Sequence, residues 1–112
     1  MQMLLLVLNQ VDKLDDLLES LMKNGISGAT ILNSTGMMHE LAKNEEYQPI
    51  FGSAWYNIDS NRTDSKTIFL VLDEKQVDKV RSVVRQVIGD ISKPNTAVLF
   101  TLPILSTEGI GF

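Results

Sequence analysis

The side chains best suited to chemistry lie between Thr35 and Ser65. That stretch holds the only histidine, His39, beside Glu40, with Glu45 and Glu46 nearby, and also Trp55, Tyr47 and Tyr56, which are the only tryptophan and the two tyrosines of the chain. An imidazole next to carboxylates is the combination used to move a proton or hold a metal. The spacing supports neither use, because no HxH, HxxxH or HExxH pattern accompanies His39. No metal is expected, and His39 is the one residue that would enter a metal site. Its expected place is a surface or a subunit contact. No serine or threonine sits in a G-x-S-x-G elbow or near a second histidine, so no hydrolase constellation forms. Walker A and G-x-G-x-x-G motifs are absent. The chain is therefore not expected to be an enzyme. Aromatic side chains dominate recognition surfaces, which turns attention to Tyr47, Phe51, Trp55 and Tyr56. Phe51 and Trp55 are expected to pack on the body. Tyr47 lies in Asn44–Pro49, where Pro49 disfavours helix at Gln48 and predicts a loop.

The elements that must position these groups flank them on both sides. With 112 residues the chain is expected to form one domain, 1–112, with a modest core that oligomerisation would supplement. A hydrophobic content of 44% and mean hydropathy of +0.04 indicate a folded globular protein. The net charge of −4 and pI near 4.8 exclude a general phosphate-binding surface, so no nucleic-acid partner is expected. There is no cysteine, which removes disulfides, thiol catalysis and thiolate-bound metal. The apolar run Met3–Leu8 is too short to span a bilayer and lacks the flanks of a signal peptide. A soluble cytoplasmic protein without membrane insertion is expected.

Met3-Leu-Leu-Leu-Val-Leu8 and Thr67-Ile-Phe-Leu-Val-Leu72 are continuous apolar runs, the pattern of strands covered on both faces. After the first, Asp12 is the expected N-cap of a helix with Leu14, Leu17, Leu18, Leu21 and Met22 on one face, and Gly25 is its stop. After the second, Asp73 with Gln76 has the outline of a capping box. It opens a helix that buries Val77, Val80, Val84, Val87 and Ile88, with Val83 beside them, and turns Asp78, Lys79, Arg81, Arg85 and Gln86 outward. Gly28–Asn33 and Thr96–Leu102 complete the two halves as strands, and Met37, Met38, Leu41 and Ala42 suggest one or two helical turns.

The order strand, helix, strand, insert, strand, helix, strand describes two βαβ units. It predicts an α+β, ferredoxin-like fold: an antiparallel sheet with two helices on one face. The other face would be bare, yet two strands are apolar on both sides. An apolar patch of several hundred Å² is too large for a soluble monomer, so other subunits or the insert are expected to cover it.

In this layout the chain resembles the nitrogen regulatory PII-like superfamily over nearly its whole length. The likeness lies in the Met3–Leu8 strand leading to Val11-Asp-Lys-Leu-Asp-Asp-Leu-Leu, in Asn24-Gly-Ile-Ser-Gly-Ala-Thr-Ile before Gly36, in Asp73–Val80, and in the closing Thr96-Ala-Val-Leu-Phe-Thr-Leu-Pro-Ile. The resemblance implies a homotrimer with ligand clefts between subunits. It also implies a long loop, here Gly36 to about Ser65, that docks on a target protein such as a membrane transporter or a metabolic enzyme. In that family adenine nucleotides and 2-oxoglutarate bind at the loop base. The family's glycine-rich nucleotide turn here reads Gly89-Asp-Ile-Ser-Lys-Pro, keeping Gly89, Asp90 and Lys93 but not the second glycine. The implied ligand-binding residues are Gly36, Gly89, Asp90 and Lys93, and the implied partner-binding residues are His39, Glu40, Tyr47 and Tyr56. The alternative is a CutA-like trimeric divalent-metal-binding protein, which shares the architecture and to which Trp55-Tyr56 before a polar turn and a strand is similar.

Overall fold

The computed structural model describes residues 1–43, 46 and 64–110. Its elements, in chain order, are β1 (Gln2–Leu8), a 3₁₀ turn (Val11–Lys13), α1 (Leu14–Lys23), β2 (Ala29–Ser34), α2 (Met37–Ala42), β3 (Ser65–Leu72), α3 (Glu74–Val87) and β4 (Ala97–Pro103). The four strands form one sheet in the order β2-β3-β1-β4. Each neighbouring pair is antiparallel, with Leu5 opposite both Phe69 and Phe100, and Thr30 opposite Phe69. The α+β class stands, and this arrangement is consistent with a ferredoxin-like fold.

Helix ends follow from local chemistry. The Asp73 carboxylate accepts from the Gln76 N–H at 2.8 Å, and the Gln76 side-chain oxygen accepts from the Asp73 N–H at 3.1 Å, so the capping box that opens α3 is complete. Asp12 does not cap α1. The chain enters that helix through the 3₁₀ turn, Lys13 takes the cap position, and no side chain bonds there. At the far end Gly25 adopts φ +80, the Ile26 N–H reaches the Leu21 carbonyl at 2.9 Å, and the Gly25 N–H reaches that of Met22 at 3.0 Å. This pair of bonds closes the helix, and its hydrophobic seal is the buried pair Ile26 and Leu21. Met22, expected on the buried face, is 65% exposed, since it lies in the last turn next to this closing bend.

The core lies on one side of the sheet. Leu4, Leu6 and Leu8 of β1 and Ile68, Leu70 and Leu72 of β3 are buried against Leu17 and Leu21 of α1 and Val77, Val80, Val83 and Val84 of α3. Both helices share this core, so both pack on the same sheet face. The alternate residues point the other way: Met3, Leu5 and Val7 from β1, Phe69 and Val71 from β3, Leu32 from β2, and Val98, Phe100 and Leu102 from β4. The β1 and β3 members are half-buried by their strand neighbours, whereas Leu32, Val98, Phe100 and Leu102 are 52%, 55%, 42% and 42% exposed.

Candidate functional site

One end of the sheet collects the residues singled out from the sequence. Here β1 and β2 finish while β3 and β4 begin, with Leu8 opposite Lys66 and Ala97, and Asn33 opposite Lys66. The segment between β2 and β3 leaves and re-enters at a single point. Ser34 and Ser65 face each other across the pair with their hydroxyls 2.7 Å apart, and the Thr67 hydroxyl donates to Ser34 Oγ at 2.8 Å. Lys66 Nζ donates to Asn33 Oδ1 on the opposite face of the same pair.

Just beyond β2, Gly36 is the N-cap of α2, which carries His39 and Glu40. Glu40 is exposed. Lys43 donates to its carboxylate at 3.1 Å, and this bond, the Lys43 charge and a hydrogen bond from Thr35 hold its pKa below the usual value. His39 is half-buried. Among the described residues no group of three or more His, Cys, Asp or Glu comes together to hold a metal. Tyr47 and Tyr56, like Phe51 and Trp55, lie outside the described residues.

Gly89, Asp90 and Lys93 sit between α3 and β4. Gly89 takes φ +90, and its N–H bonds to the Arg85 carbonyl at 3.1 Å, ending α3 in a left-handed turn that favours glycine. Asp90 Oδ1 then accepts from the Ser92 N–H at 3.0 Å and the Ser92 hydroxyl at 2.6 Å. These two bonds lower the Asp90 pKa, and nearby Lys93 adds to the effect. The strand order keeps this turn away from Gly36: β2 and β4 are opposite edges, three strand spacings or about 14 Å apart. Within one chain the four implied ligand residues therefore do not converge.

Gly89 and Asp90 do converge with Arg81 and Arg85, expected only on the outer face of α3, and with Val84 of its buried face. Arg81, Val84 and Arg85 join Gly89, Asp90, Ile91 and Leu99 around a cleft of about 540 Å³ between α3 and β4, within the range of small-molecule sites. Lys93 is not on its lining. The i, i+4 spacing of Arg81 and Arg85, followed by a stop glycine, is the signal that marks the place in the sequence. A second cleft of about 640 Å³ lies at the other end of the sheet, beside Gly25–Gly28, the end of β3 and Gly109. Its two longest polar side chains, Asp73 and Gln76, are committed to the capping box.

Among the described residues no helix is long and apolar enough to cross a membrane. The α+β sheet with its helices is the class that the fold defines. No family model and no curated protein sequence matches the chain. Among solved structures it is similar to a functionally unknown protein from Pediococcus pentosaceus ATCC 25745, at a TM-score of 0.63 and 13% identity, covering 97% of this chain and 96% of that one. At that identity the likeness is one of fold.

Proposed function

We propose that this chain is the subunit of a PII-like regulatory homotrimer that controls a target enzyme or transporter through the segment between β2 and β3, gated by a small ligand. The observation that carries the reading is the sheet face that no described element covers. Nine apolar side chains from four adjacent strands point away from both helices. Four strands about 4.8 Å apart and six to eight residues long span a flat area of about 400 Å². Thr30, Ser34, Ser65 and Thr67 share that face, and an apolar patch over the rest of it is of a size that often marks a functional surface. Copies of the same chain are the occupant proposed, since burying one side of each sheet at a common axis leaves the helices and the clefts outward.

The regulatory part of the proposal draws support from the Ser34–Ser65 pairing. A segment that starts and ends within one strand spacing is an excursion from a closed scaffold, and such excursions carry function at little cost to the fold. The test is deletion of residues 38–58 with a short glycine-serine bridge. The proposal expects a variant with the wild-type thermal midpoint within a few degrees and the wild-type number of subunits. Loss of the folded sheet by circular dichroism would instead make the segment part of the core and end the docking reading.

A further inference from the structure

We infer that the cleft between α3 and β4 binds a small organic anion with an apolar body, held by Arg81 and Arg85. The inference rests on the ligand-gated reading only for its regulatory meaning. Its geometry belongs to a single chain. Arg81 and Arg85 lie one helical turn apart on the same side of α3, and both reach the cleft lining. Neither is in an ion pair with a described residue, although Asp78 stands three positions before Arg81 on the same helix; the ion pairs among the described residues are Lys23–Glu19 and Lys43–Glu40. Two adjacent guanidiniums outside any ion pair, with Asp90 the one carboxylate on the same lining, leave the cleft a net positive charge in a protein of net charge −4. Guanidinium groups offer forked donors that match carboxylate and phosphate oxygens.

The rest of the lining says what the anion carries. Val84, Ile91 and Leu99 give the cleft an apolar floor. Val84 is buried, and Ile91 and Leu99 are partly buried against the core. Asp90 is the one negative group on the lining, and Ser92 bonds its Oδ1 twice. Those bonds hold the turn that forms the end wall. The space beside Gly89 is open, since a Cβ there would meet no atom within 4 Å. An inorganic ion would use the arginines and leave the floor wet, while a neutral apolar molecule would leave both guanidiniums without an acceptor. A ring or chain bearing one phosphate or carboxylate satisfies both halves.

The test is a heteronuclear NMR titration of the full chain with phenyl phosphate and phenylacetate, which separate the two anion chemistries, and with inorganic phosphate and benzyl alcohol as controls. At least one aromatic anion is expected to shift the Gly89, Ile91 and Leu99 amides and the Arg81 and Arg85 side-chain resonances. It should bind at least tenfold more tightly than either control. Arg81→Gln with Arg85→Gln, checked for unchanged far-UV dichroism and melting, should weaken that binding tenfold or more, the usual loss for charge-assisted hydrogen bonds. Equal binding of the controls, no saturable shift at this cleft with either anion, or full binding by the folded double variant would overturn the inference. The oligomer reading fails separately. A trimer that binds neither anion sinks only the cleft proposal, and a monomer that binds one sinks only the assembly.

Discussion

Phe100→Glu tests whether the open sheet face is an interface. Phe100 sits in the middle of edge strand β4, directly opposite Leu5, and keeps 42% of its surface exposed. Its neighbours on the same face, Val98 and Leu102, keep 55% and 42%. Full burial of such side chains is worth about 1.5–3 kcal/mol each, so covering the half still exposed yields about 1 kcal/mol per residue. One strand then supplies about 3 kcal/mol per subunit, and each of the three subunits gains it. Glutamate at position 100 forfeits the Phe100 share and also places an unpaired carboxylate in an apolar contact, which costs several kcal/mol more. On a face open to water the same substitution costs about 1 kcal/mol, the burial that Phe100 already has against its strand neighbours, and leaves the mass unchanged. Light scattering behind size exclusion, with circular dichroism on the same fractions, distinguishes the two cases. The variant is expected to elute at the mass of one chain with its secondary structure kept, while the wild type stays larger. A Phe100→Glu protein with the mass and melting point of the wild type refutes the interface.

Leu6→Ala, on the helix side of β1 and 2% exposed, should destabilise the fold by about 3 kcal/mol in chemical denaturation, whereas Leu5→Ala, its neighbour on the open side, should act mainly on the assembly; equal unfolding costs at the two positions, with no change in mass for Leu5→Ala, would contradict the division of faces. Asp73→Ala removes the capping box of α3 and should cost about 1 kcal/mol, seen as a fall in thermal midpoint of about 4 °C; an unchanged midpoint would mean that the cap is not used in solution. Asp90 should titrate below an ordinary aspartate by carboxyl NMR, and Ser92→Ala should move it back up. Since the folded pKa is depressed, this group's contribution to stability is present above the ordinary aspartate value and is lost as pH falls through the lowered one, so the two proteins should differ most near neutrality and converge in acid. Identical Asp90 titration in both would remove Ser92 as the cause.

The periodicity of the apolar residues carried most of the fold. The 3.6-residue spacing of Val77, Val80 and Val84 and the two-sided runs of β1 and β3 are local patterns, and both helices and all four strands follow from them. The Asp73 and Gln76 capping box was legible for the same reason, since it spans only four residues. Asp12 and Met22 went astray at helix ends. A 3₁₀ turn moved the start of α1 past Asp12, and the closing bend at Gly25 left Met22 outside the contact. The site was less legible because it depends on strand order. Gly36 and Gly89 look like partners along the chain, yet the order β2-β3-β1-β4 sends them to opposite edges. Arg81 and Arg85 look like ordinary solvated charges until α3 is laid beside β4, which places them over Ile91 and Leu99.

Sedimentation equilibrium of the wild-type chain, across a range of loading concentrations from below one micromolar to tens of micromolar, decides whether the chain assembles as a trimer. A single species of three times the 12.5 kDa chain mass is expected at the upper concentrations. A mass of one chain throughout that range would contradict it, because the nine apolar side chains of the open face would then have no second copy to cover them.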